Sequence, residues 1–185
     1  SDFTGDGIFY NKGNLSINAK TVRVNYFSAN IASVGSSLDI SGSTIYAGRW
    51  QLYASLSNQF FTGGSTIHFT QEFYGGKKLN YNTVVVDSLF ALQGTVYSRM
   101  YLDSNTIGQL NFDADLNISS SAGSNSQATV SVLLFNKPGL TLELNPNLIM
   151  QTNFIVANGT CANPINIRSS LSGTQATMIK SSGSI

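Results

Sequence analysis

The tetrapeptide Gly42-Ser43-Thr44-Ile45, followed by Tyr46, returns 22 positions later as Gly64-Ser65-Thr66-Ile67, followed by His68. That period falls in the range of one coil of a β-solenoid. A single coil cannot bury its apolar face alone, so successive coils stack like residues on like and a continuous core runs along the axis. Looser relatives of the echo stand at Ser36-Ser37-Leu38-Asp39-Ile40 and Asn82-Thr83-Val84-Val85-Val86. The repeat predicts stacks of Ile45 on Ile67 and Thr44 on Thr66. A lectin-like β-sandwich is the competing fold, because it also uses many short strands, but it gives residues one period apart no reason to pair.

Alternation of apolar and polar residues recurs along the chain. Leu15-Ser16-Ile17, Val22-Arg23-Val24, Leu38-Asp39-Ile40, Ile67-His68-Phe69, Val130-Ser131-Val132, Leu140 to Leu144 and Ile165-Asn166-Ile167 place apolar side chains at i and i+2. This is the pattern of a strand with one face packed inward. Polar breaks such as Gly35-Ser36-Ser37, Gly63-Gly64-Ser65, Gly75-Gly76 and Asn158-Gly159 separate these runs, and no window has helical periodicity. The three prolines also fit, since a ladder strand cannot give up its N–H donors; Pro138 and Pro146 bracket one predicted strand. The polar stretch from Ser119 to Gln127 reads as a protruding loop.

Composition narrows the partners. Charged residues make up 10% of the chain, against about 25% in ordinary globular proteins, and Ser, Thr, Asn and Gly take their place. With 42% hydrophobic residues the low charge does not signal disorder. Ten basic residues against nine acidic ones leave a net charge of +1 with no basic cluster beyond Lys77-Lys78, so nucleic acid is not an expected partner. No apolar run reaches the ~20 residues of a membrane span. Residues 1–185 read as a single β-solenoid segment excerpted from a much longer chain, whose neighbouring coils would cover both ends. Cys161 is the only cysteine, which excludes a disulfide inside this sequence, and it reads as a small buried residue.

Few residues suggest chemistry. Asp113 and Asp115 lie two apart, so on a strand both carboxylates would share one face, as glycoside hydrolysis or calcium binding could use. The reading adopted is a solvent-facing strand surface, because polar-out alternation with Phe112, Ala114 and Leu116 inward explains both residues without chemistry. Asp2 and Asp6 resemble the start of a calcium loop but lack its later ligands, and read as a turn. His68 is the sole histidine, makes a poor zinc site alone, and occupies the polar position of an alternating strand, hence a surface residue. The Asn-x-Asp, Asp-Asp, Gly-His-Gly and Arg-x-Lys signatures of pectinase-like enzymes do not occur, so no catalytic residue, metal or cofactor is expected, and the chain does not read as an enzyme. Tyr46, Trp50 and Tyr53 are the candidate ligand-binding residues, because an exposed aromatic row can stack on sugar rings; core packing is their other fate.

The closing stretch, Asn163-Pro164-Ile165-Asn166-Ile167-Arg168 onward through Gly173-Thr174 to Met178-Ile179-Lys180 and Gly183, resembles a recurrent segment of very large secreted proteins of the Bacteroidota. Residues Ser36 to Phe69, and Phe73-Tyr74-Gly75-Gly76 with Tyr81 to Val86, are similar to the same family. The resemblance implies a right-handed parallel β-helix within a cell-surface protein exported by the type IX secretion system to the exterior of the outer membrane, of the kind used in adhesion and gliding motility. Its implied partners are neighbouring coils of the same chain, and glycans or other surface proteins. Asp87-Ser88-Leu89 resembles a Bacteroidota O-glycosylation site at Ser88. A polysaccharide-binding or polysaccharide-degrading β-helix is the second function the sequence suggests.

Overall fold

The computed structural model describes residues 2–54, 59–87, 98–120 and 126–181. Sixteen strands follow one another in these residues: β1 (Phe3–Tyr10), β2 (Asn14–Ser16), β3 (Thr21–Asn30), β4 (Ser37–Asp39), β5 (Thr44–Tyr53), β6 (Phe60–Phe61), β7 (Thr66–Lys77), β8 (Asn80–Val86), β9 (Ser98–Asp103), β10 (Thr106–Phe112), β11 (Leu116–Ser120), β12 (Ser126–Phe135), β13 (Thr141–Leu144), β14 (Leu148–Ala157), β15 (Asn166–Ser169) and β16 (Thr177–Lys180). Each of the seven alternating runs read from the sequence falls on one of them, and Pro138 and Pro146 stand in the turns on either side of β13. All strand pairs are parallel.

The pairing is that of a β-solenoid. Ile45 pairs with Ile67 and Thr44 with Thr66, the contact that separates a solenoid from a sandwich, and the sandwich is thereby excluded. Gly42 and Gly64 open these two coils with φ of +68° and +69°. A left-handed backbone is the conformation glycine adopts without steric cost, which is why the echo begins on glycine.

One ladder face is built from β1, β3, β5, the first half of β7, and then β8, β10, β12, β14 and β16. The second half of β7 leaves that ladder and pairs instead with β9, from which β11, β13 and β15 continue. Strands β1, β3, β5 and β7 thus bend across two faces, while later coils use a separate strand for each. A third face holds β2, β4 and β6 alone. Coil length is uneven, from 17 residues between Thr66 and Thr83 to 28 between Ile149 and Thr177. The ladder register, rather than a fixed repeat length, is what successive coils share.

Inside, matched positions fill continuous columns. Phe27, Trp50, Phe73, Met100, Ile118 and Leu144 follow one another by register, and all are essentially inaccessible to solvent. Phe27 and Trp50 stack at 4.4 Å between ring centroids, and Phe112 and Phe135 at 4.6 Å. Tyr81 closes the aromatic cluster edge-on to Phe60 and Phe73. Its hydroxyl donates to the Gly75 carbonyl at 2.7 Å, and burial holds the phenol protonated far above its ordinary range. Outside the second face runs another column: Tyr26, Arg49, Glu72, Arg99, Asn117, Glu143 and Arg168. Charges of like sign do not stand directly opposite one another in it, which avoids the repulsion between facing pairs.

Truncating a stacked core ring leaves a cavity whose neighbours on both sides are held by the ladder. Phe112→Ala is therefore expected to cost about 3–5 kcal/mol, seen as a lowered urea midpoint. Tyr53→Ala, at a position 49% exposed, is expected to stay within ~0.5 kcal/mol of the parent chain.

Candidate functional site

Where β3, β5 and β7 bend from one face to the next, the outer surface sinks into a groove of about 630 Å³. Its origin is a defect in the ladder. Ala47 pairs with Phe69 and Arg49 with Glu72, so the single residue Gly48 of β5 stands opposite both Thr70 and Gln71 of β7. An extra residue in one strand is a β-bulge, which bends that strand and re-aims its side chains. Gly48 is required here, because a Cβ would come within 2.7 Å of the Asn25 carbonyl oxygen on the neighbouring coil.

Outward positions flank this floor on either side along the strand direction. Before it come Thr4, Arg23, Tyr46 and His68, one above another by register. The guanidinium of Arg23 lies 3.9 Å from the Tyr46 ring centroid, and the Tyr46 and His68 rings stack at 4.4 Å. A cation over one face of a ring and an imidazole against the other hold Tyr46 in place. After the floor, the ladder brings Asp6, Asn25, Gly48, Thr70, Asp87, Asp113 and Asn136 into one column, each following a paired residue in the register. Asn136 Nδ2 donates to Asp113 Oδ1 at 3.0 Å within it.

His68 joins the two columns. Its Nδ1 lies 3.2 Å from Asp87 Oδ2, and its side chain is 21% exposed. It is not the plain surface residue its alternating position suggests, since Tyr46 covers one face of the ring. Burial is the largest influence on the imidazole and pushes its pKa down from the ordinary 6.5, with Arg23 acting in the same direction. Asp87, and more weakly Asp113, pull it back up without overcoming the burial. Neutral His68 with Nδ1–H donated to Asp87 leaves Nε2 as an acceptor.

The three aromatic residues that suggest one platform are separated by the fold. Trp50 is wholly buried between Phe27 and Phe73 and cannot meet a ligand. Both faces of Tyr46 are covered. Tyr53 stands outside on the second face in a loose row with Tyr74 and Tyr101, at centroid separations of 6.1 and 5.3 Å. The acid pairs also move. Asp113 and Asp115 lie in the bend between β10 and β11 rather than on a strand, and Asp115 Oδ1 accepts from the Thr141 amide at 2.8 Å. They brace successive coils at a corner. Asp2 immediately precedes β1, where its carboxylate accepts from Thr21 N, and Asp6 lies within that strand and lines the groove, so the expected turn is a strand.

Cys161 is exposed in the connection between β14 and β15, not buried, because that connection lies outside the ladder. Ser119, Ser120, Ser126 and Gln127 belong to strands β11 and β12 rather than to a loop, and Ser88 lies outside the described residues. Among the described residues no group of three or more His, Cys, Asp or Glu side chains is placed to hold a metal ion, and no helix is long and apolar enough to cross a membrane.

The groove was not legible in the sequence. Its members come from four strands and from Asp87 just after β8, and the bulge that creates it leaves only Gly48 and the adjacent polar pair Thr70-Gln71 as a local trace.

A histidine whose pKa is lowered by folding lets the unfolded chain bind the proton first on acidification. Its contribution to stability is therefore fully present above pH 6.5 and is lost as pH falls from there through the lowered folded value. The melting midpoint is expected to drop between pH 7 and pH 5, and His68→Gln is expected to remove part of that drop; an unchanged pH slope in the variant would contradict the assignment. Comparison of the chain with family models, curated proteins and solved structures finds no match.

Proposed function

We propose that this solenoid is a structural and adhesive module of a large secreted bacterial cell-surface protein, presented at the exterior of the outer membrane. The observation that supports it most is the repetition of outward positions at the spacing of the ladder. Each coil offers a side chain at the same place as the last, as in the column from Tyr26 through Arg49, Glu72 and Arg99 to Arg168. Stacked repeats of this kind form extended surfaces for contact. Export by the type IX system and a part in gliding motility rest on the resemblance of repeat style alone.

The carboxylates that chemistry would first recruit support a non-catalytic reading. Asp113 Oδ1 accepts from Asn136 Nδ2 and Asp115 Oδ1 accepts from the Thr141 amide, so each carboxylate ties its corner to the next coil. Polysaccharide binding is the second reading, favoured by the groove and its unpaired polar groups.

Display of residues 1–185 on a non-adherent bacterial host is expected to raise retention on glycan-coated surfaces several-fold over a host displaying an unrelated domain. The Asp113→Asn, Asp115→Asn double variant is expected to retain this adhesion. Incubation with polysaccharides is expected to release no reducing ends above a blank; release that disappears in the double variant would replace the adhesive reading with an enzymatic one.

A further inference from the structure

Polar groups of both kinds converge in the groove over Gly48, and several of them have no partner within the fold. Among the described residues the side chains of Asp6, Arg23 and Asn25 make no hydrogen bond or ion pair, and Arg23 is held only by its contact with the Tyr46 ring. Gln71 accepts from Arg49 Nε through its oxygen at 3.1 Å, which leaves its amide N–H groups to donate elsewhere. The hydroxyl oxygen of Thr70, also at the groove, is shielded from solvent and has no partner. Unsatisfied polar groups at a shielded position are costly and call for a reason.

The balance of these groups selects a ligand class. Arg23 contributes one positive charge, whereas Asp6 and Asp87 contribute two negative ones and His68 is neutral at pH 7. One positive and two negative leave the groove net negative, so an anionic ligand is opposed. A purely cationic ligand would meet Arg23. What remains is a neutral molecule that both donates and accepts, and a sugar hydroxyl does both. Val24 and Ala47 turn their side chains into the core on either side of this floor, so beside Gly48 it is bare backbone on which a ring can rest. A volume of about 630 Å³ falls within the ~300–1,000 Å³ of small-ligand sites.

We propose that the groove between the Arg23–Tyr46–His68 stack and the Asp6–Asn25–Gln71 side binds a neutral oligosaccharide, with Asp6 accepting from its hydroxyls and Arg23, Asn25 and Gln71 donating to them. This rests on the polysaccharide-binding reading and moves it from an aromatic platform to a hydrogen-bonding cleft. Arg23 is a binding residue set in position by Tyr46, and Gly48 keeps the floor low enough for a ring to enter.

The test is calorimetric titration of the chain with neutral gluco-, manno- and xylo-oligosaccharides, and with oligogalacturonate as the acidic comparator. At least one neutral series is expected to bind, and oligogalacturonate more weakly. Asp6→Asn and Gln71→Ala are expected to weaken that binding tenfold or more while leaving the melting midpoint unchanged, and Tyr101→Ala on the other face is expected to leave both unchanged. In the wild-type chain the His68 imidazole resonances are expected to shift on saturation with the bound sugar, a readout that needs no variant to fold. Loss of binding in Tyr101→Ala with no effect of the groove variants and no His68 shift would overturn the groove while sparing the polysaccharide-binding reading. Binding of oligogalacturonate alone would overturn the neutral ligand class. No binding by any member of the panel would overturn both the groove and the polysaccharide-binding reading, with adhesion left to other surfaces.

Discussion

Parallel pairing holds neighbouring strands about 4.8 Å apart, and at that distance each side chain must rest on its counterpart in the next coil. Everything else in this molecule answers to that requirement. Apolar positions gain by it, so Val22, Ile45, Ile67, Val84, Leu110 and Leu133 follow one another inside the ladder. Flat rings gain further when they lie nearly parallel, as Phe112 and Phe135 do at 9°. Charged positions lose by stacking on their own kind. The low charge of the whole chain and the placing of Glu72 between Arg49 and Arg99 are two responses to that penalty.

The same requirement explains how the groove exists. A perfectly registered ladder would carry a smooth outer surface, since every coil would repeat the last. The bulge opposite Gly48 breaks the repetition in one coil, and β7 is also the strand at which the two faces separate into β8 and β9. Local departure from the stacking rule gathers Arg23, Asn25, Gln71 and Asp87 around a floor that no side chain at position 48 could share. The interaction of His68 with Asp87 then ties the coil of β7 to that of β8 across the place where the ladder changes partners.

Corners carry the remaining polar side chains that have structural work. Asp39 accepts from the Ser41 amide and from Asn18 Nδ2 of the preceding coil. Asp115 accepts from Thr141 N, and Asn105, almost completely buried, donates to the Gly75 carbonyl and accepts from the Asp103 amide. Backbone groups at a bend are the ones the ladder leaves unpaired, and a short acid or amide reaches them. Asp115, which looks like a catalytic candidate in a linear reading, is at its corner the substitute for a missing ladder bond.

The amino-acid sequence by itself determined the seven alternating strands, the glycine-led turns and the stacking of Ile45 on Ile67, because alternation and a 22-residue echo are local properties that one chain displays in order. Only the tertiary structure decided which face each aromatic residue takes. Ile45 and Ala47 point inward, and simple alternation would then send Trp50 out. Gly48 and Arg49 both lie on the outer side of the bend, however, and the phase reverses, so Trp50 and Leu52 point in and Tyr53 points out. The same reversal at Asn25 and Tyr26 brings Phe27 inward beneath Trp50. A bend exchanges inside for outside without altering composition. The groove depends on it too, since its members stand on four strands and just after a fifth, and their nearness is set by register and by one inserted residue, neither of which is written at any single place in the chain.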